Sequence, residues 1–276
     1  MALPAQHSSP RPARSTWSLP QLHQWVVVPF IVVLVTATIG RLLVYSPGVG
    51  AQESVVLQRL DAVRSGALDV PALALHHASS GPGVLVVVAA VTAWLARRRA
   101  WDAAGFAVTA LSGWAAVSFV AMAVGRPQPG PSALLEPQVV VAGTTSFPSG
   151  HVGAALAVAT ALALAARRPG RGPAVLAAGL AVVALVGLSQ VYLGAHYPLD
   201  VLAALPVAWA GVAIGCGLAN RLVPALAWGF GWEQEGAGWA EDGASEAPAE
   251  EPAVEEPALD TARVPIVSRH PGHHAA

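Results

Sequence analysis

The chain has 276 residues, 54% hydrophobic and only 11% charged, where a soluble globular domain carries roughly 25% charged residues. Its apolar residues lie in long runs that leave no water-facing side, which excludes an ordinary soluble domain and makes lipid the natural surrounding. The net charge of −1 conceals an asymmetry: residues 1–232 hold 13 Arg against 6 acidic residues, net +7, whereas 233–276 hold 2 Arg against 10, net −8, as expected of a basic membrane domain with an acidic tail.

In chain order, a Pro- and Ser-rich segment carrying Arg11 and Arg14 comes first, over residues 1–23. The apolar stretch that follows, 25–45, is long enough to span a bilayer and longer than the core of a cleaved signal peptide, so it is expected to be retained as the first span. Further spans are expected at 81–96, 103–124, 151–167, 173–193 and 199–220. They make an all-α polytopic bundle of about six transmembrane helices within a membrane domain 24–222, rich in small residues that permit close helix packing. The second span is short and needs either His77–Ser80 as an extension or little tilt.

Arginine fixes the expected orientation. Arg11, Arg14, Arg97–Arg99, Arg167, Arg168, Arg171 and Arg221 share one side of such a bundle, and Arg59, Arg64 and Arg126 the other. Both termini are therefore expected in the cytoplasm. Between the first two spans, 52–78 shows Val56, Leu60 and Val63 at helical spacing among charged residues, as an amphipathic surface helix acting as a connector. His76 and His77 at its end read as an interfacial polar pair, since no third metal ligand lies nearby. Residues 223–276 are expected to be a disordered cytoplasmic tail, with His270, His273 and His274 part of an unstructured terminus. Cys216 is the only cysteine and there is no Lys, so no intrachain disulfide forms and every fixed cation is Arg.

Three polar groups interrupt the apolar pattern, and the orientation drawn from arginine puts all three on the extracytoplasmic side: Gly125–Pro129, Phe147–His151 and Ser189–Asp200. Pro148 and Ser149 open a helix whose free N–H groups favour an anion such as phosphate, with Gly150 allowing close backbone approach and His151 on the first turn. His196 and Asp200, four apart beside Pro198, are expected to share a helix face, the carboxylate setting the tautomer of an attacking imidazole.

Pro148-Ser149-Gly150-His151, followed by Ser189-x-Val191-Tyr192-Leu193-Gly194-Ala195-His196-Tyr197-Pro198-x-Asp200, resembles the second and third motifs of the type 2 phosphatidic acid phosphatase (PAP2) superfamily. The resemblance covers about residues 25–220. It implies His196 as the nucleophile forming a phosphohistidine, Asp200 as its orienting partner and His151 as the acid for the leaving alkoxide. Arg126, Gln128, Ser149, Gly150 and Gln190 are the implied substrate-binding positions. Ala121, Gln128 and Gln190 stand where the family pattern has Lys, Arg and Arg; with Arg126 taken as the first motif's Arg instead, Phe119 stands in place of the Lys.

The function so implied is a membrane phosphatase acting on a lipid phosphate or diphosphate, with no metal, no cofactor and no nucleic-acid partner. The expected location is a bacterial plasma membrane, with the site extracytoplasmic. The departures in the cations motivate an alternative, a catalytically weakened membrane protein that binds lipid phosphates. A transporter would need polar groups near the bilayer midplane, where the spans have very few.

Overall fold

A computed structural model describes residues 17–130, 145–166 and 170–230, and the side chains of 228–230 fall outside that description. The N-terminal residues 1–16, Arg167 and Arg168, and the expected tail from 231 onward, His270, His273 and His274 included, lie outside the described residues.

Eight helices and no strand occur among the described residues: α1 Val27–Val44, α2 Pro47–Asp61, α3 Gly66–Ser79, α4 Gly81–Ala96, α5 Ala100–Val124, α6 Gly150–Ala165, α7 Arg171–Tyr192 and α8 Pro198–Phe230. The all-α expectation holds because a backbone in hydrocarbon must satisfy its own hydrogen bonds. All six expected spans fall on helices. By length and composition α1, α5, α7 and α8 can each cross a membrane, α3 with α4 makes one bent pair, and α6 is a shorter apolar helix.

Two details differ from expectation. The second span does not borrow His77–Ser80 as a straight extension, because α3 and α4 meet at 68°. The cause is local: Ser80 is extended (ψ 165°) and its Oγ caps α4 by accepting from Gly83 N, with proline at the start of the new helix. At the other end α8 runs eight residues past the expected boundary at 222. That extension is apolar and packed, with Val223 and Ala227 buried.

The centre of the bundle is α5, held by approaches that only small residues allow. A Cβ on Gly211 of α8 would sit 2.6 Å from the Ser112 carbonyl oxygen, and one on Gly153 of α6 would sit 2.5 Å from Val117. Since lipid supplies no hydrophobic drive between helices, such close contact is what holds them together. Outward faces carry large apolar side chains, among them Phe30, Leu42, Phe119 and Leu188. Before α1 the chain folds back along the bundle: Trp17 donates to Asp102 Oδ1 at 3.0 Å, and Asn220 exchanges two hydrogen bonds with Leu19. Opposite that end, where α5 and α7 finish and α6 and α8 begin, the three polar groups of the sequence come together.

Candidate active site

The stretch 52–78 is more than a connector. It forms α2 and α3, broken at 62–65. Val56 and Val63 face outward, as an amphipathic helix in lipid would place them, while Glu53, Leu57 and Asp61 form the buried face of α2. Likewise His76 is buried on α3, while its neighbour His77 is exposed. Burial of Glu53 and His76 is tolerated because each finds polar partners inside the bundle.

His196 lies in the turn between α7 and α8, behind Gly194, whose φ of +68° lets the chain reverse. Its Nδ1 is 2.8 Å from the Ser146 carbonyl oxygen. A carbonyl only accepts, so Nδ1 carries the proton and Nε2 keeps a lone pair. Burial pushes the His196 pKa below its ordinary value, against the opposing influence of Asp200 and of the Ser146 hydrogen bond, and so favours the neutral, nucleophilic ring.

The expected shared helix face of His196 and Asp200 is not formed, because α8 starts at Pro198. Asp200 Oδ2 is 3.9 Å from His196 Nδ1, too far for a hydrogen bond. It acts through Ser146 instead: the Ser146 hydroxyl donates to Asp200 Oδ2 while the Ser146 carbonyl holds the imidazole. Asp200 also accepts from Tyr197 N at 2.9 Å and from Arg126 Nη1 at 2.6 Å.

Arg126 follows α5 directly after Gly125, the left-handed cap (φ +64°) that ends the helix. Its second arm, Nη2, is 2.5 Å from Glu53 Oε2, and Glu53 Oε1 accepts from Leu199 N at 2.9 Å. The guanidinium also lies over the Tyr197 ring at 4.3 Å. Arg126, Glu53 and Asp200 are all buried. Both arms of this arginine are thus committed to carboxylates.

At the start of α6, Ser149 is fully buried and its N–H donates to the Asp200 carbonyl at 2.9 Å. Its Oγ makes no capping bond and has no partner, and neither has the buried Nε2 of His151. Beside Gly150 the space is open, with nothing within 4 Å of where a Cβ would stand. The His151 and His196 rings meet edge to face at 5.7 Å, and His76 stacks on His151 at 4.5 Å. Gln190, fully buried on α7, accepts from His76 Nδ1 at 3.1 Å. Gln128 is half-buried and shares no hydrogen bond with this cluster among the described residues.

Sequence reasoning missed Glu53, His76 and Ser146. Ser146 sits just ahead of the Pro148–His151 motif and acts mainly through its backbone, which leaves no sequence signal. Glu53 and His76 were visible as polar residues in a membrane-proximal stretch, which is itself a hint of function.

Below the cluster is an apolar cavity of about 260 Å³ between α3, α4, α6 and α7. Its lining continues the stripes that bear the polar residues: Ala154, Val158 and Leu162 below His151 on α6, and Val186, Val182 and Gly179 below Gln190 on α7. From His151 to Leu162 and from Gln190 to Gly179 each stripe rises by eleven residue steps, about 16 Å at 1.5 Å per residue.

Residues 102–223, which carry Arg126, His151, Gln190, His196 and Asp200, match the PAP2 superfamily. No curated protein matches the chain. The fold is similar to the crystal structure of a transmembrane PAP2-type phosphatidylglycerolphosphate phosphatase from Bacillus subtilis, with a TM-score of 0.59 and 21% identity over 71% of this chain and 96% of that one. Glu53 and His76 lie outside the matched residues, on helices that precede them. Residues 102–223 thus match the PAP2 superfamily in sequence, and the fold is similar to that of a PAP2-type enzyme.

Proposed function

We propose that the protein is a membrane phosphatase that hydrolyses a lipid phosphate or diphosphate through a phosphohistidine on His196. The observation that carries this reading is the fixed tautomer of His196, whose Nδ1 donates to Ser146 and whose Nε2 lone pair is left beside His151. In the first step Nε2 attacks phosphorus and the bond to the leaving oxygen breaks. His151, taking up a proton with the incoming phosphoryl group, gives that proton to the leaving oxygen. The imidazolium formed on His196 is supported by the Ser146 carbonyl and by the charge of Asp200. In the second step His151 takes a proton from water as the water attacks phosphorus, and the P–N bond breaks to release phosphate. The Ser149 hydroxyl, which has no partner, and the first-turn N–H groups of α6 are the donors for the phosphoryl oxygens in this reading. Release of inorganic phosphate from a panel of lipid phosphates and diphosphates by purified protein tests the reading, with His196→Ala as the control.

A lipid as substrate is supported by the apolar cavity, whose stripes start at the polar cluster and run about half the roughly 30 Å hydrocarbon thickness. One hydrocarbon chain fits that course. Val158→Trp should therefore raise KM for a long-chain lipid phosphate about tenfold or more, the cost of losing roughly 1.4 kcal/mol of apolar contact. A short-chain water-soluble phosphate ester should be hydrolysed as before. Equal loss on both substrates would remove the cavity from the substrate's path.

The site is read as extracytoplasmic with both termini in the cytoplasm of a bacterial cell, on the arginine distribution. In a Cys216→Ser background, a cysteine at Val63, exposed between α2 and α3, should react with a membrane-impermeant thiol reagent on intact cells. One at Gly170, between α6 and α7, should not. The opposite labelling would reverse the orientation.

A second reading, a weakened protein that binds lipid phosphates without turnover, is favoured by one observation: both arms of Arg126 are engaged by carboxylates.

A further inference from the structure

The phosphoryl group needs contacts, and the cluster offers few free ones. Arg126 faces Glu53 and Asp200, so the three fixed charges sum to −1 and neither arm of this guanidinium is left for an incoming anion. The polar atoms left unpartnered at the α6 start are Ser149 Oγ and His151 Nε2. One more group borders the same space. His76 is only 7% exposed and its ring lies nearly parallel to His151, at 24° and 4.5 Å between centroids.

Its orientation is set from the far side. Gln190 directs its amide nitrogen to Ser189 Oγ at 3.4 Å, which leaves Oε1 for His76 Nδ1 at 3.1 Å. An amide oxygen only accepts, so Nδ1 carries a proton and Nε2 is the nitrogen turned away from Gln190. No hydrogen bond to Nε2 occurs among the described residues. An imidazole held at one nitrogen by Gln190 and stacked on His151, with its other nitrogen not sealed inside the bundle, is open to a further contact.

We propose that His76 is a further phosphoryl-contacting residue, its Nε2 sharing one proton with a phosphoryl oxygen while Gln190 holds Nδ1. This rests on the reading of the cluster as a phosphoryl-transfer site. The proton arrives either on the imidazole or on the phosphate monoanion, and in both cases it offsets the negative balance of the three fixed charges. His76 thereby supplies from α3, outside the residues that match the superfamily, a donor that Arg126 is not free to give.

The test measures binding of inorganic phosphate to the full-length protein in detergent, by titration calorimetry, alongside kcat/KM for a lipid phosphate. His76→Phe keeps a ring to stack on His151 but has no nitrogen. It should weaken phosphate binding and kcat/KM by about 10- to 100-fold, the loss of one hydrogen bond to a charged group. His76→Gln should recover part of both. Gln190→Leu should produce a similar loss and add little on top of His76→Phe, since both act on one contact. His77→Phe, at an exposed neighbour, should bind phosphate as wild type does. A purely structural role for His76 predicts that His76→Phe binds phosphate normally, and that result overturns the proposal. If His76→Phe does not fold, wild-type affinity in His76→Ala overturns it equally. Wild-type protein that binds no phosphate at millimolar concentration also sinks it. If instead no lipid is hydrolysed but phosphate binding still falls in His76→Phe, the contact stands and the phosphatase reading alone fails.

Discussion

His196→Ala should abolish phosphate release from every lipid the wild type hydrolyses, by at least about 10³-fold in kcat, because it removes the atom that bonds to phosphorus. A smaller loss would be expected of a residue that only binds or orients substrate. The remaining parts of the site, His151 and the start of α6, can still hold a phosphoryl group and polarise it, and residual catalysis over water from such parts is usual when a nucleophile is deleted. The substitution loses one hydrogen bond, to the Ser146 carbonyl, and creates a cavity in the turn. Thermal unfolding must therefore show folded protein before the rates are compared. Two other outcomes are informative. Wild type and variant that are both silent on all lipids, in folded protein, would favour the lipid-binding reading. A variant that keeps a tenth of the rate would move the nucleophile elsewhere and sink the phosphohistidine.

The fold was legible because lipid imposes a simple rule on sequence. Each apolar run had to close its own backbone hydrogen bonds, so each became a helix, and α4 was found at 81–96 despite its length. Its bend against α3 is not legible in the sequence, because a capping serine followed by proline reads equally as a turn in water. The site was legible where residues crowd into short motifs, as with Ser149, His151, His196 and Asp200. It was not legible where a partner comes from afar. Nothing local to Glu53 or His76 says which face of α2 or α3 turns inward, since an interfacial helix can direct its apolar face to lipid and its polar face to the bundle. The spacing of His196 and Asp200 suits a helix face, but the helix starts between them and their link runs through Ser146. Arg126 was recognised, but its partners depend on α2 reaching across to the α7–α8 turn.

Arg126→Ala should be the single change most damaging to stability, costing about 3–5 kcal/mol, the usual penalty for breaking a buried ion pair by deleting one partner. The guanidinium stands between Glu53 at 2.5 Å and Asp200 at 2.6 Å, and no solvent reaches any of the three freely. Without it two carboxylates share a poorly hydrated space with no counter-charge. The contact over Tyr197 is lost as well. For a domain of this size the apparent Tm in detergent should fall by roughly 6–20 °C. Glu53→Gln should cost less, since the amide can still meet Arg126 and the Arg126–Asp200 pair stays neutral. The double variant Arg126→Met/Glu53→Gln should be more stable than Arg126→Met alone, because one carboxylate is left unpaired in place of two. The sequence motif suggests instead that Arg126 binds the phosphoryl group. That role predicts a different pattern, in which Arg126→Ala unfolds within about 1 kcal/mol of wild type and loses mainly phosphate affinity, about 10-fold or more. Finding that pattern would free Arg126 from the carboxylates in the working enzyme and return a fixed cation to the substrate.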